Sequence, residues 1–150
     1  MENNNTYNEF DDTVGPWIGK TQKMLSLFLR DAFAEQGMDI TTQQFILLKV
    51  LHEADGVKQG DLAFITDRNK GSLTRLISTL EKKNYVARIP SEDDKRINKI
   101  FLTRSGRDAY EKLKPIVRKS IDIIQHGISP KEINTLISTL AKIQNNINQK

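Results

Sequence analysis

The sequence contains no cysteine, only two histidines and one tryptophan, and no long apolar run. Without cysteine the chain forms no disulfide and no thiolate site, so thiol-based redox sensing is excluded. No apolar stretch approaches the roughly 20 residues that cross a bilayer. The two histidines, His52 and His126, are too few and too far apart in the sequence to indicate a zinc site. We therefore predict no metal site and no cofactor.

Catalytic motifs are also missing from the sequence. No nucleophile–base pattern, phosphate-binding loop or cofactor fingerprint occurs in it. The length of 150 residues, with 37% hydrophobic and 28% charged residues, is typical of one globular domain. The N-terminal segment MENNNTYNEFDDTV is acidic and polar, unlike a signal peptide. These features favour a cytoplasmic binding protein over an enzyme.

Positive charge is concentrated in the middle of the chain. Residues 58–107 contain twelve Lys and Arg against six Asp and Glu, a net charge of +6. Residues 1–57 carry a net charge of −5, and residues 108–150 carry +3. A basic central segment is the electrostatic pattern expected of a nucleic-acid-binding surface. A solvated charged face is the alternative explanation of this bias.

Hydrophobic spacing and capping residues predict six helices. Two capping boxes, Thr41 with Gln44 and Ser129 with Glu132, mark the starts of the second and sixth helices. Asn69 is a further helix N-cap. The predicted helices cover about residues 16–35, 42–54, 59–65, 70–83, 104–125 and 130–145. Residues 1–12 have the composition of a disordered tail.

The order of elements between residues 57 and 103 indicates a winged helix-turn-helix. Two short helices are followed by two predicted strands, residues 86–90 and 96–102, joined by an acidic and basic turn. Asn84 follows the fourth helix, where it suits the left-handed conformation that ends a helix. We predict a mainly α fold with a small β-wing, which places the fourth helix in a DNA major groove.

Small and basic residues near the start of the fourth helix are the candidate DNA contacts. Arg and Lys bind guanine or phosphate, Ser and Thr bind either, and a glycine lets the backbone approach closely. The candidates of this recognition helix are Arg68, Asn69, Lys70, Gly71, Ser72, Thr74 and Arg75. An ordinary surface helix with a basic edge is the alternative.

The wing provides a second group of candidates: Arg88, Asp94, Lys95 and Arg96. Arg96 follows the turn and suits a narrow minor groove, where the negative potential is strongest. Asp94 would hold the guanidinium of Arg96 in position through a charge-assisted hydrogen bond. An exposed turn with incidental charges is the alternative.

The chain resembles the MarR family of bacterial transcriptional regulators. The resemblance rests on DLAFITDRNKGSLTRLISTLEKKNYVAR (residues 61–88), on DKR (94–96) followed by LTRSG (102–106), and on TTQQF (41–45). It extends from about residue 16 to the C-terminus. It implies one domain, residues 1–150, with a winged helix-turn-helix lobe at 41–103 and flanking dimerisation helices at 13–36 and 104–148.

A homodimer and a small-molecule effector are further implications of the resemblance. The surplus of branched apolar residues between Ile116 and Ile143 fits a dimer interface, although packing within one subunit is the alternative. The family implies a pocket for aromatic carboxylates or phenolic compounds, for which Trp17, Met24, Phe28 and His52 are candidate lining residues. Aromatics at helical spacing also occur in plain cores. The function implied is that of a ligand-responsive repressor that binds a pseudo-palindromic double-stranded DNA operator and no membrane.

A winged helix used only for protein interaction, without specific DNA binding, is the alternative function. The basic balance of residues 58–107 argues against it.

Overall fold

The computed structural model describes residues 10–66 and 69–149. Within these residues the elements follow the order α1 Val14–Glu35, α2 Thr42–Glu53, β1 Val57–Lys58, α3 Gln59–Ile65, α4 Lys70–Lys82, β2 Val86–Pro90, β3 Asn98–Leu102, α5 Arg104–Ile124 and α6 Pro130–Asn148. The six predicted helices are confirmed to within a few residues at each end. Most of the predicted N-terminal tail, residues 1–9, lies outside the described residues. Residues 10–12 form a turn, in which the amide of Thr13 donates to the carbonyl of Phe10 (3.0 Å).

The described residues fall into two compact units that divide after Val117. The first unit is built around one hydrophobic core to which α1–α5, β2 and β3 contribute. Its fully buried side chains include Phe33, Leu48, Leu62, Ile77 and Ile100. Because α3 and α4 both pack on this core, the two helices of the helix-turn-helix are held at a fixed angle to each other.

The predicted helix ends are confirmed by their hydrogen bonds. The hydroxyl of Thr41 accepts from the amide of Gln44 (3.2 Å), and the side chain of Gln44 accepts from the amide of Thr41 (3.1 Å). Asn69 caps α4 by accepting from the amide of Ser72 (2.8 Å). Asn84 has a φ of 62°, the left-handed conformation expected after α4.

The wing belongs to a three-stranded antiparallel sheet of order β1-β3-β2. The two-residue strand β1, which was not predicted, pairs Val57 with Ile100. The prediction that the last strand begins at Arg96 was wrong, since β3 begins at Asn98. The amide of Ile97 instead donates to the carbonyl of Asp94 (2.9 Å), and this turn keeps Arg96 out of the strand.

Two close contacts attach the start of α5 to the lobe. The carboxylate of Asp55 accepts from the amide of Leu102 (2.8 Å) and from the guanidinium of Arg107 (2.6 Å). A Cβ added to Gly106 would lie 2.0 Å from the carbonyl oxygen of Tyr85, so only glycine fits at this position. These contacts fix the orientation of α5 where it leaves the wing.

The second unit contains the end of α5 and all of α6. The hydroxyl of Ser129 accepts from the amide of Glu132 (3.2 Å), which confirms the predicted capping box. No residue of α6 is buried over the range described, and Leu136 and Ile137 are 60% and 59% exposed. Across the described part of the chain, no helix has the length and apolarity needed to span a bilayer.

Candidate nucleic-acid interface

The first turns of α4 carry small and basic side chains on the face opposite the core. The buried stripe of the helix consists of Leu73, Ile77 and Leu80. The exposed residues are the predicted contacts Asn69, Lys70, Gly71, Thr74 and Arg75. Ser72 is half-buried, and Arg68 lies outside the described residues. The N-terminal half of α4 therefore presents the predicted contact residues to solvent.

A hydrogen-bonded pair joins α3 to this exposed face. The side-chain amide of Gln59, the first residue of α3, donates to the hydroxyl of Thr74 (3.2 Å). The hydroxyl of Thr74 donates in turn to the carbonyl of Lys70, one helical turn earlier (2.8 Å). The orientation of the Thr74 side chain is therefore fixed by groups on both helices.

The wing turn confirms the predicted pairing of Asp94 with Arg96. The Nε and Nη2 atoms of Arg96 donate to the two carboxylate oxygens of Asp94 (3.2 and 3.3 Å), and the backbone amide of Arg96 also donates to this carboxylate (3.0 Å). The guanidinium of Arg96 lowers the pKa of Asp94, and the backbone hydrogen bond adds to this effect. Because the Arg96 side chain is 91% exposed, the carboxylate orients a guanidinium that remains open to a ligand. Lys95 is exposed beside it.

Arg88, the other predicted wing residue, lies away from the wing turn. Its Nη2 atom donates to the hydroxyl of Ser78 on α4 (3.3 Å), and the side chain is half-buried. Its Nε atom is buried without a hydrogen-bond partner among the described residues. Arg88 therefore braces β2 against the recognition helix, and a direct DNA contact by this residue stays a prediction.

A cleft brings the recognition helix and the wing onto one surface. Its volume is about 460 Å³, and residues of α3, α4 and the wing line it. Lys58, Lys70 and Arg96 contribute its positive charge, and Asp61 is the acidic residue in the lining. Thr74 lies in the same lining. Two predicted contacts of α4 and one of the wing thus face a common concave surface with a net positive charge.

Comparison with known proteins identifies the family. The model of the MarR family matches residues 40–97. The transcriptional activatory protein BadR of Rhodopseudomonas palustris is 31% identical over 118 residues, which cover 76% of this chain and 67% of BadR. The HTH-type transcriptional regulator YdgJ of Bacillus subtilis is 32% identical over 109 residues, which cover 73% of this chain and 66% of YdgJ. This chain belongs to the MarR family of transcriptional regulators.

Solved structures of two proteins bound to DNA confirm the fold. A mutant of MarR from E. coli in complex with operator DNA has a TM-score of 0.83 and 25% identity, covering 91% of this chain and 96% of that chain. The transcriptional repressor CouR, bound to a 23-mer DNA duplex, has a TM-score of 0.81 and 22% identity, covering 91% of this chain and 95% of that chain. The predicted mainly helical architecture with a small β-wing is therefore confirmed.

The candidate effector residues lie on two helices of this MarR-family chain. Trp17, Met24 and Phe28 lie on α1 and are 66%, 61% and 39% exposed. The indole nitrogen of Trp17 donates to the carbonyl of Asp11 (2.9 Å). Their spacing of seven and four residues places the three side chains on one face of the helix. They are accessible to a ligand or to another protein surface.

His52, the fourth candidate, makes its described contacts with α5. Its Nε2 atom lies 3.0 Å from a carboxylate oxygen of Glu111, and its ring lies 4.5 Å from that of Tyr110. Tyr110 stacks in turn on Phe45. None of these contacts involves the three candidates of α1, so the described contacts do not unite the four residues in one site.

The structure adds two residues to the site that are not among the predicted contacts. Gln59 positions Thr74, and Ser78 holds Arg88. Gln59 and Thr74 are fifteen positions apart, and their contact depends on the angle between α3 and α4, which no local pattern encodes. Ser78 lies one turn after Thr74 on the exposed side of the apolar stripe, and helical spacing is the one signal that indicated it.

Proposed function

We propose that this MarR-family regulator binds a pseudo-palindromic DNA operator as a homodimer and represses transcription until a small aromatic effector releases it. DNA binding is supported by the exposed basic face of α4 and by the oriented guanidinium of Arg96. Where the operator overlaps a promoter, a bound dimer would repress transcription by covering the promoter. We also propose that the protein acts in the cytoplasm, where its DNA target lies.

The division of roles follows from the shapes of the two grooves. The major groove admits a helix and displays a distinct pattern for each base pair, so α4 and Arg75 are the elements that read sequence. The minor groove is narrow and strongly negative, and a single guanidinium such as that of Arg96 fits it. The net charge of +6 over residues 58–107 supports binding to the phosphate backbone.

Dimerisation is supported by apolar side chains that one chain leaves partly or fully exposed. None of the ten branched residues predicted to be surplus is buried: Ile116, Val117, Ile121, Ile123, Ile124, Ile133, Leu136, Ile137, Leu140 and Ile143. α1 adds Val14, Trp17, Met24 and Leu27, each more than 40% exposed. Exposed apolar side chains in such number on a helix indicate an interface. A second copy of the chain is the simplest partner, because a pseudo-palindrome requires two-fold symmetry.

Sedimentation tests the dimer directly. At low micromolar concentration the wild-type protein should sediment at twice its chain mass of 17.2 kDa. Leu136→Glu introduces a charge on the apolar face of α6 and should shift the protein towards the monomer. Ser138→Glu, on the polar face of the same helix, is the matched control and should remain dimeric. A monomeric wild-type protein, or equal behaviour of the two variants, would contradict the proposal.

Selection of bound fragments from a random DNA library tests operator binding. The selected sequences should contain two inverted half-sites about one helical turn apart, roughly 10 base pairs. Retention on heparin at moderate salt should accompany this selection, because both depend on the basic surface. A single unrepeated half-site would contradict the dimeric mode. Failure to select any sequence, together with release from heparin at low salt, would favour the protein-interaction module.

The effector proposal rests on the aromatic residues of α1 and on a structural neighbour. BpsR of Bordetella bronchiseptica, 19% identical to this chain, is described as regulated in DNA binding by 6-hydroxynicotinic acid. We propose that Trp17, Met24, Phe28 and His52 contribute to an aromatic-acid site. Because Trp17 is the one tryptophan of the chain, its fluorescence reports binding. A hydroxylated aromatic acid that changes this fluorescence and releases the operator would support the site, and release without a fluorescence change would contradict it.

A further inference from the structure

Thr74 is an exposed residue whose hydroxyl group is engaged on two sides. Its Oγ1 atom lies 2.8 Å from the carbonyl oxygen of Lys70 and 3.2 Å from the side-chain nitrogen of Gln59. A carbonyl oxygen only accepts hydrogen bonds, and an amide nitrogen only donates them. The single hydroxyl proton of Thr74 therefore points to Lys70, and the hydroxyl oxygen accepts from Gln59.

This arrangement determines what Thr74 is able to offer to DNA. Phosphate oxygens only accept hydrogen bonds, so a hydroxyl group without a spare proton is a poor phosphate ligand. The two hydrogen bonds also fix the rotation of the side chain, which holds its methyl group in one position. On the major-groove edges of the bases, the partner for a methyl group is the 5-methyl group of thymine.

We propose that Thr74 is a specificity-determining residue that reads a thymine methyl group, and that Gln59 is the positioning residue that holds Thr74 in this orientation. The proposal rests on the proposed function, because it requires α4 to enter the major groove. Thr74 is the fifth residue of α4, within the N-terminal half of the helix that approaches the base edges. Gly71, one turn earlier, is also exposed, so no bulky side chain lies there to hold the helix away from the groove.

Replacing individual operator thymines by deoxyuridine tests this assignment, because the replacement removes only the 5-methyl group. In each half-site, replacement of one particular thymine should lower wild-type affinity about fourfold, because burial of one methyl group contributes about that much to binding. Thr74→Ser removes the methyl group but keeps the hydroxyl group, so its preference for thymine over uracil should disappear. Thr74→Val keeps a methyl group without the hydroxyl group, so it should retain a preference.

The role of Gln59 is tested by the ratio of the affinities for the operator with thymine and the operator with deoxyuridine at that position. Gln59→Ala removes the donor to Thr74 and leaves its hydroxyl group with the bond to Lys70 alone, so the variant should lose about half or more of the preference for thymine. The thermal midpoint of each variant is measured in parallel. A lower midpoint with an intact thymine preference would mean that Gln59 has only a structural role and would overturn its assignment.

Thr79→Ser is the matched control for the loss of a threonine methyl group. Thr79 is also exposed on α4, and its hydroxyl group donates to the carbonyl of Arg75 (3.0 Å). It lies beyond the N-terminal half of the helix, so the variant should keep the thymine preference of the wild type. Loss of the preference in this control would overturn the assignment to position 74.

Three further results would overturn the proposal, and they are distinguishable from one another. If the wild-type protein selects an operator but shows no position that depends on the thymine methyl group, the role of Thr74 is wrong and the proposed function stands. If the wild-type protein selects no sequence, the proposed function itself fails. A Thr74→Val variant that weakens binding to operator and random DNA equally, without thymine dependence, would identify Thr74 as a phosphate contact.

Discussion

Removal of the Asp94 carboxylate should weaken operator binding, although it makes the wing more positive. Asp94 holds the guanidinium of Arg96 through two side-chain hydrogen bonds of 3.2 and 3.3 Å. In the Asp94→Ala variant this exposed guanidinium loses its fixed orientation and must be ordered when DNA binds. Ordering a flexible side chain costs about twofold to tenfold in affinity for each arginine. The proposed dimer contains two such arginines.

The salt dependence separates loss of orientation from loss of charge. Arg96→Ala removes one phosphate-neutralising cation from each subunit, which should reduce the slope of log affinity against log salt by about 1.8 per dimer. Between roughly 50 and 200 mM salt, a slope difference of this size changes affinity by about 12-fold. Asp94→Ala keeps both cations, so its slope should remain close to that of the wild type while its affinity falls.

Titration of one operator at several salt concentrations provides the measurement. Asp93→Ala is the matched control, because Asp93 is exposed and none of the hydrogen bonds described for Arg96 is made to it. This control removes the same charge and should bind DNA equally well or more tightly. Tighter binding by Asp94→Ala as well would refute the reasoning, because both acidic residues would then act only by repelling phosphate.

Three further predictions concern the recognition helix, the fold and the wing turn. In a binding titration, Arg75→Ala should cost about 1–3 kcal/mol of operator affinity and reduce the difference in affinity among operator sequences. An equal loss of affinity for random DNA would make Arg75 a phosphate contact only. Gly106→Ala should lower the free energy of unfolding in urea by about 3 kcal/mol, because its Cβ would lie 2.0 Å from the Tyr85 carbonyl oxygen. Gly60→Ala, which has open space around its Cβ, should not destabilise the protein at the same protein concentration, and equal unfolding curves for the two variants would contradict this. Because Arg96 lowers the pKa of Asp94, the contribution of the pair to stability is fully present above the ordinary aspartate pKa of 3.8 and is lost as pH falls through the lowered value. A carboxyl NMR titration should show a higher midpoint for Asp94 in the Arg96→Ala variant. An unchanged midpoint would contradict Arg96 as the cause of the lowered pKa.

Features that depend on a few neighbouring residues were predictable from the sequence. The capping boxes at Thr41 and Ser129, the N-cap at Asn69 and the left-handed Asn84 each follow from the chemistry of one turn. The pairing of Asp94 with Arg96 belongs to the same class, because the partners are two positions apart in the sequence.

Features that depend on distant contacts were not predictable. Strand β1 has two residues and exists because Val57 pairs with Ile100 on β3, which no local propensity indicates. The contact of Arg88 with Ser78 depends on how β2 packs against α4. Side chains at such positions acquire their roles from the tertiary arrangement.

Chemical footprinting of the operator with wild-type protein and the Arg96→Ala variant tests the central claim most directly. Dimethyl sulfate reports guanine N7 in the major groove, and hydroxyl radicals report the sugars along the minor groove. The wild-type protein should protect N7 positions in two half-sites about one helical turn apart, together with minor-groove sugars. Arg96→Ala should retain the N7 protection and lose the minor-groove protection. Absence of N7 protection by the wild-type protein would contradict the assignment of α4 to the major groove. Minor-groove protection that is unchanged in the variant would contradict the assignment of the wing to the minor groove.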